Sequence, residues 1–188
     1  MFDESNSPHV SGSSASKLVR QAIEVFQRTR GTLPKRIVVH KTSRFNEGEK
    51  EGFLAGAENV EHVDLLAFGT RDIKLVRWGT NPPIRGTMVR LPDQSVLLYT
   101  SGYIPYLDVY PGPRVPSPLE ILEHHGRTQI DILCKEILAL TKLNWNNAKF
   151  CTKAPITIGF AKRVGAIMRE SPPDIEINDV GTKFKFYM

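Results

Sequence analysis

The sequence predicts an α/β or mixed α+β domain, and three observations lead to this prediction. Apolar residues at helical spacing alternate along the chain with short runs rich in β-branched residues, so helices and strands follow one another. Short strand-like runs joined by polar turns fill the central third, which is typical of an antiparallel meander. The composition, 40% hydrophobic and 24% charged over 188 residues, is that of a globular domain.

The first 44 residues predict a loop, a helix and a strand. Residues 1–16 are polar and Ser-rich, and Ser14 or Ser16 can cap the helix that follows. That helix ends at Gly31, and residues 36–40 predict a fully buried strand. Such a strand needs a neighbour on each side, so either the meander supplies all its neighbours or some strands lie outside this chain. The helix carries its apolar residues at Leu18, Ala22, Val25 and Phe26.

The middle of the chain predicts a second helix and several strands. The helix is expected over residues 47–57, and a strand over residues 63–68 follows it. Polar turns then separate the strands of the meander. Five prolines within residues 104–118 predict a stiff, extended connection, because each ring fixes φ and removes a hydrogen-bond donor. The meander strands are predicted over residues 74–78, 87–91 and 95–100.

Two helices and a strand are predicted for the rest of the chain. The third helix is expected over residues 119–142, with a break near Gly126. A fourth helix opens at Pro155, and the alternating run at residues 183–188 predicts a closing strand. The fourth helix is expected to turn its apolar residues toward the core, namely Ile156, Phe160, Val164, Ile167 and Met168.

The net charge of +5 is concentrated in two blocks. Residues 17–44 carry eight basic residues and one acidic residue, and residues 135–169 carry seven and one. Residues 45–134, which separate them, hold eight basic and twelve acidic residues. Two basic blocks of this kind suggest a polyanionic partner. Two solvated helix faces would give the same pattern, and charge alone does not separate the two interpretations.

Several classes of protein are excluded by the sequence. Two cysteines, Cys134 and Cys151, cannot build a disulfide framework or a zinc site. No apolar run is long enough to cross a bilayer and no signal peptide is recognisable, so a reduced, cytoplasmic protein is expected. His124 and His125 are not a metal pair if they are helical, because adjacent helical residues diverge by about 100°. Phosphate-loop, nucleophile-elbow and zinc-protease motifs are missing.

The predicted fourth helix carries the best candidate for a binding site. Gly159, Lys162, Ala166 and Arg169 recur at spacings of three and four, and Arg163 lies beside them. Small residues between cations let a phosphate backbone approach the helix, and the cations neutralise it. The alternative is a solvated helix face without bulky residues.

Two further segments could bind anions. The loop that contains Lys142, Asn144 and Asn147 combines a cation with amide donors, and Trp145 could stack on a base. A structural turn with a core Trp is the alternative interpretation. The segment at residues 40–44 follows a predicted strand end and includes two cations. It has no carboxylate, so it could hold an anion but not a catalytic Mg²⁺.

The sequence resembles the prokaryotic Argonaute/Piwi family from about residue 17 to its end. Each matching segment is weak alone, but they occur in the family's order, and together they are specific. The terminal aromatic strand ending at Met188 also fits. The matching segments are Val-Val-His-Lys-Thr-Ser-Arg-Phe at 38–45, Arg-Gly-Thr at 85–87, Leu-Tyr-Thr-Ser-Gly-Tyr at 98–103, Tyr-Pro-Gly-Pro at 110–113, Leu-Ala-Leu-Thr-Lys-Leu-Asn-Trp-Asn at 138–146 and Pro-Ile-Thr-Ile at 155–158.

The resemblance implies that residues 17–188 form the C-terminal portion of a PIWI domain, after an N-terminal loop at residues 1–16. This domain has an RNase H-like fold, a mixed sheet flanked by helices, which would here be incomplete at its N-terminal strands. The family's first catalytic Asp and its catalytic Glu belong to sequence that this chain does not contain. A truncated chain, a split gene product or a misplaced start codon is therefore expected.

The resemblance also implies that the chain is catalytically inactive. Two of the family's metal-binding positions match Lys41, give or take one residue, and Lys162. Two-metal hydrolysis needs carboxylates, whereas an ammonium group has no lone pair and repels the ions. A lysine in the same cleft could bind the phosphate directly. An active nuclease with unusual ligands is the least favoured alternative.

By resemblance, the partners are a guide strand, RNA or DNA, and a complementary target, in a host-defence role. The carboxylate of Met188 would help to hold Mg²⁺ beside the guide 5′ phosphate, and no cofactor for catalysis is expected. A structural remnant or interaction module is the other alternative, docking on an upstream-encoded partner or an effector. The nucleic-acid-binding residues expected are Lys41, Arg44, Lys142, Asn144, Asn147, Lys162, Arg163, Arg169 and Met188.

Overall fold

A computed structural model describes residues 9–75, 78–79, 83–105, 116–143 and 151–170. Four helices and five strands follow one another along these residues. The helices are α1 (Gly12–Arg30), α2 (Glu47–Gly56), α3 (Ile130–Thr141) and α4 (Ile156–Glu170). The strands are β1 (Arg36–Lys41), β2 (His62–Thr70), β3 (Met88–Arg90), β4 (Val96–Leu98) and β5 (Leu119–His125).

The five strands form one mixed sheet in the order β1-β2-β5-β4-β3. Strands β1 and β2 run parallel, with Ile37 opposite Val63 in the register, and helix α2 connects them. The other neighbours are antiparallel. A bulge between Ala67 and Phe68 shifts the register of β2 against β5. A mixed sheet flanked by helices is the predicted fold class, which the structure confirms.

Two hydrophobic clusters fill the spaces between sheet and helices. The first contains residues of α1, α2 and β2, with Val19, Phe53 and Leu65 all 5% exposed or less. The second joins β2, β4 and β5 to α3 and to Ile158 of α4. Leu65 and the adjacent Leu66 belong to different clusters, because neighbouring side chains of a strand point to opposite faces. The sheet is therefore covered on both faces.

Strand β1 lies at the edge of the sheet and is half-buried rather than fully buried as the sequence predicted. All six of its residues are partly exposed. Its sequence is apolar because both faces of the strand are partly buried. Val38 packs against the second cluster and Val39 against the first. Among the described residues, no strand pairs with its outer edge.

The third predicted helix is wrong in nearly its first half, because residues 119–125 form strand β5 and the helix begins only at Ile130. Leu119 and Ile121 are buried between the neighbouring strands β2 and β4. Pairing on both sides overrides the helical spacing of these apolar residues. The predicted break near Gly126 marks the turn between the strand and the helix.

Helix α1 begins earlier than predicted and buries a different stripe. Ser11 rather than Ser14 or Ser16 caps it, by accepting a hydrogen bond from the Ser14 backbone N–H. Ala15 and Val19 are its buried residues. The predicted stripe is exposed instead, and Leu18, Val25 and Phe26 are its large exposed members.

Helix α4 also buries less than its sequence suggests. Ile158 is its buried residue, and Ile156, Phe160 and Val164 are partly exposed. Ile167 and Met168, which were expected to face the core, are 40% and 47% exposed. This helix therefore covers the sheet loosely.

The first strand predicted for the meander, at residues 74–78, is not formed where the structure describes it. Lys74 and Leu75 have no regular structure, and Trp78 is 97% exposed. The remaining two meander strands are confirmed as β3 and β4. Most of the proline-rich connection, the Asn-rich loop and the closing strand at residues 183–188 lie outside the described residues. Over the described ranges, none of the helices has the length and apolar character needed to cross a bilayer.

Candidate nucleic-acid interface

The carboxyl end of β1 meets the first turn of α4 at His40. The His40 Nδ1 atom lies 2.7 Å from the Thr157 hydroxyl oxygen, and its ring packs edge-on against Phe68 with ring centroids 5.0 Å apart. Burial lowers the pKa of His40 to about 4, so the ring is neutral near pH 7. The fold thus brings together the two elements that carry the lysine positions identified in the sequence.

Lys41 points to the other face of the sheet, toward α2. Its ammonium group forms an ion pair with Glu49, and its Nζ also lies 3.0 Å from His9 Nδ1 and 3.3 Å from the Arg44 carbonyl oxygen. The Phe45 ring centroid is 5.4 Å from the same nitrogen. Only 15% of the Lys41 side chain is exposed, so its charge is held inside the protein.

Glu49, the partner of Lys41, is a carboxylate with 1% exposure. Burial acts to raise the pKa of Glu49, but hydrogen bonds from Lys41, the Val10 backbone N–H and His9 outweigh it, and the pKa is lowered. Asn46 caps α2 by accepting the Glu49 N–H at 2.7 Å, which fixes the helix turn that carries this carboxylate. The Lys41–Glu49 ion pair is thus part of the contact between β1 and α2.

The alternation of side chains along β1 therefore separates Lys41 from α4. His40 faces α4, whereas Lys41 faces α2 on the opposite side of the sheet. Thr42, the residue on the other side of Lys41, also lacks a carboxylate. No residue from 40 to 42 offers an acidic metal ligand.

Helix α4 presents cations on an open face. Lys162, Arg163 and Arg169 are all exposed. A Cβ atom added at Gly159 would meet no described atom within 4 Å, so the helix surface at Gly159 is uncovered among the described residues. Lys162 and Arg169 of the predicted stripe are thus exposed, and the role of this stripe in binding a phosphate backbone stays a prediction.

The remaining predicted residues are only partly described. Arg44 is 60% exposed and bonds to the Leu122 carbonyl oxygen and to Glu123 on β5, both at 3.3 Å. Lys142 is exposed at the C-terminal end of α3. Asn144, Asn147 and Met188 lie outside the described residues. The described part of the candidate surface thus consists of the α4 cations, with Lys142 at the end of α3.

Sequence reasoning missed a second polar network, centred on Asp64 of β2. This carboxylate is 1% exposed and accepts hydrogen bonds from Arg36 Nε at 2.8 Å and the Thr128 hydroxyl at 2.6 Å. His124 Nε2 lies 2.9 Å away. Burial acts to raise the pKa of Asp64, but these bonds hold it at about 2. An Asp inside an otherwise apolar strand is the sequence signal that could have revealed this network.

The Asp64 network ties distant parts of the chain together. Arg36 also binds Glu136 of α3, with Nη2 3.0 Å from Oε2, so its guanidinium bridges β2 and α3. Asp64 and Glu136, which Arg36 binds, both belong to the folded domain, so these ion pairs stabilise the fold.

The described residues contain no group of three or more His, Cys, Asp or Glu side chains that could hold a metal ion. His124 and His125 do not form a pair, although the reason differs from the predicted one. They are strand residues, and adjacent strand residues point to opposite faces. Cys134 and Cys151 are free thiols.

Comparison with known proteins relates the chain to Argonautes. No family model matches it. The sequence is 27% identical over 135 residues to the Argonaute protein of Aquifex aeolicus (strain VF5), which covers 71% of this chain and 18% of that protein.

Solved Argonaute structures share the fold. Aa-Ago with externally bound siRNA superposes with a TM-score of 0.64 at 22% identity, over 87% of this chain and 22% of the other. Clostridium butyricum Argonaute bound to a guide DNA and a 19-mer target DNA gives 0.67 at 18% identity, over 90% and 22%. The chain thus spans about a fifth of the length of these relatives. Its sequence is thus similar to part of an Argonaute, and its mixed sheet with flanking helices matches the RNase H-like fold of the Argonaute PIWI region.

Proposed function

We propose that this chain is the C-terminal portion of a catalytically inactive PIWI domain, which binds guide and target strands without cleaving them. One observation carries the proposal: a helix of this Argonaute-like fold presents the side chains of Lys162, Arg163 and Arg169 exposed to solvent. Because each phosphate that a cation neutralises releases a counterion, such a face favours nucleic acid. Related structures hold siRNA, or a guide DNA with its target DNA.

The side chains at the matched positions support the proposed inactivity. Lys162 and the segment from His40 to Thr42 offer no carboxylate, and two-metal hydrolysis needs carboxylates to hold its ions. Lys41 is already neutralised by Glu49, so it contributes to the fold rather than to phosphate binding. In this proposal the phosphate contacts come from α4 and from Lys142.

The first test is binding of a guide-length single strand, measured by fluorescence anisotropy at several salt concentrations with RNA and DNA probes. Lys162→Glu should weaken binding and flatten the salt slope by about 0.7 for each phosphate that is no longer neutralised. Lys74→Glu makes the same charge change on a side chain that is 52% exposed in the acidic middle of the chain, and should leave the slope unchanged. Equal effects of the two variants would contradict the α4 interface.

The second test concerns cleavage. A guide-matched target incubated with Mg²⁺ or Mn²⁺ should stay intact, because no carboxylate pair is available at the matched positions. Metal-dependent cleavage that disappears when an Asp or Glu of this chain is replaced would overturn the proposed inactivity.

The guide 5′ phosphate is proposed to sit near the carboxylate of Met188. A carboxylate oxygen is a suitable ligand for Mg²⁺, which would neutralise both anions. A guide with a 5′ phosphate should therefore bind more tightly than one with a 5′ hydroxyl, and Mg²⁺ should increase the difference. Equal affinities of the two guides would remove this part of the proposal.

A further inference from the structure

A cavity of about 300 Å³ lies on the α3 side of the sheet, beside the turn that joins β3 to β4. Its lining includes Val96 and Ile121, two buried members of the second cluster, and Ile130 at the start of α3. Arg90 is opposite Val96 in the strand register, and directly opposite residues point to the same side of a sheet. A guanidinium group therefore lies next to an apolar surface in this cavity.

Arg90 supplies a positive charge that no described carboxylate neutralises. Its side chain is exposed, and among the described residues it makes no ion pair or hydrogen bond. Glu123 also lines the cavity, but its carboxylate accepts the Phe45 backbone N–H at 2.6 Å and pairs with Arg44. Burial raises the pKa of the nearby Cys134 thiol to about 11, so this group is neutral near pH 7. An anion in the cavity would thus meet a guanidinium without a counter-charge.

His124 lines the same cavity with one ring nitrogen already in use. Its Nε2 atom lies 2.9 Å from Oδ1 of the Asp64 carboxylate. Hydrogen bonds hold the pKa of Asp64 at about 2, so this carboxylate is ionised, only accepts, and fixes the ring proton on Nε2. In the neutral ring the remaining nitrogen, Nδ1, is an acceptor, and no described group donates to it. A ligand with a hydroxyl or N–H group would satisfy it.

The turn beside the cavity holds Gln94 in an unfavourable backbone conformation. Its φ is 68°, and it is the only residue other than glycine with a positive φ in the described part of the chain. The left-handed region favours Gly, Asn and Asp, so glutamine at this position costs stability. Backbone strain of this kind is found at ligand sites, where the side chain that it positions has a use. Here the amide of Gln94 is exposed at the cavity.

We propose that this cavity binds a small organic anion with an apolar body and a hydroxyl or N–H donor. The acid group pairs with the planar guanidinium of Arg90, which suits a carboxylate or a phosphate. The body packs on Val96 and Ile121, the donor bonds to His124 Nδ1, and Gln94 adds a hydrogen bond at the rim. The volume is at the lower end of the range of small-molecule sites. None of these residues belongs to the α4 surface, so the site is independent of the proposed function.

The test is an amide NMR titration of the full chain with para-hydroxybenzoate, which has an acid group, an apolar ring and a hydroxyl donor. Benzoate and phenol are matched probes that each lack one group. Para-hydroxybenzoate should shift the Arg90, Gln94 and His124 amides and bind more tightly than either. Arg90→Ala should weaken binding about tenfold or more, because a charge-assisted hydrogen bond is lost. Arg28→Ala, an exposed cation on α1, should leave affinity unchanged.

Gln94→Gly separates ligand binding from folding. Glycine adopts a positive φ without a steric penalty, so this variant should melt at a higher temperature than the unmodified chain. It also removes the amide, so para-hydroxybenzoate should bind severalfold more weakly. A residue kept for the turn alone would not show that combination.

Three results would overturn the proposal. The first is that none of the probes shifts these amides at millimolar concentration. The second is an Arg90→Ala variant with undiminished affinity for para-hydroxybenzoate. The third is an equal loss of affinity in Lys162→Glu and Arg90→Ala, which would show general attraction of the anion to a basic protein.

Discussion

The basic residues on the two sides of β1 differ in burial. On the α2 side, Lys41 is buried against Glu49, and the helices pack so closely that glycines are required at the crossing of α1 and α2. On the α4 side, Lys162 is exposed, Ile158 is the buried residue of the helix, and a Cβ atom added at Gly159 would meet no described atom within 4 Å.

Position in the fold, rather than charge, therefore decides what a lysine can do. A buried ammonium paired with a carboxylate is neutralised and contributes to stability, while an exposed one on an open helix face is available to a phosphate. The +5 net charge is therefore a poor measure of the binding surface. The comparison predicts that substitutions on the α2 side change stability, whereas those on the α4 side change ligand binding.

The largest expected effect comes from breaking the pair on the α2 side. Glu49→Ala leaves the Lys41 ammonium, with a side chain only 15% exposed, without its carboxylate, and should lower the free energy of unfolding by about 3–5 kcal/mol. Glu47→Ala is the matched control on the same helix, because its side chain is 71% exposed and pairs at the surface with Lys50. Glu47→Ala should lower the free energy of unfolding by less than about 1 kcal/mol. Urea unfolding measures both, and equal losses would mean that the buried pair has no special role.

A pH titration tests the junction of β1 with α4. The pKa of His40 is lowered from 6.5 to about 4, mainly by burial, with Glu136 acting to raise it and Arg36 to lower it. Between these values the unfolded chain binds a proton that the folded chain does not. Stability is therefore complete above pH 6.5 and falls as the pH drops toward 4, by at most about 3 kcal/mol. Urea unfolding of His40→Gln should show a flatter profile in that window, and an unchanged profile would assign the loss to other groups.

Two glycine substitutions compare the packing of the two faces directly. A Cβ at Gly52 would lie 2.7 Å from the Gly12 Cα, so Gly52→Ala should push α1 away from α2 and cost about 1–3 kcal/mol. Gly159→Ala enters open space on a helix and should stabilise the chain by roughly 0.5–1 kcal/mol. Thermal unfolding gives both values. A destabilising Gly159→Ala would show that the α4 face is covered.

Most elements of the fold could be predicted from local pattern, and the exceptions have tertiary causes. Helix α2 agrees with its predicted bounds within one residue, and the structure adds Asn46 as its N-cap and Ala57 as its C-cap. Strand β5 was missed because its pairing with β2 and β4 decides its conformation. The spacing of apolar residues along the chain does not show which segments pair. The exposure of β1 was missed for the same reason, since Ile37 and Val39 are apolar whether or not a strand lies beside them.

The candidate site was predictable only in part. The grouping of Lys162 with small and basic residues could be predicted, because residues spaced by three and four lie on one stripe of a helix. The partner of Lys41 did not follow, because Glu49 reaches it from α2 through packing on the sheet. The partners of Asp64 could not be predicted either, because these hydrogen-bonding side chains come from β1, β5 and the turn before α3.

The division of the core into two clusters has a consequence for synthesis on the ribosome. The buried members of the α1–α2 cluster all come from residues 15–65, so the elements that hold Lys41 can pack while the rest of the chain is still being made. The second cluster draws on residues from Leu66 to Ile158, and β5 must insert between β2 and β4 before it is complete. Contacts so far apart in sequence form slowly. The segments that form the buried ion pair are therefore complete in the nascent chain before the helix with the exposed cations has been made.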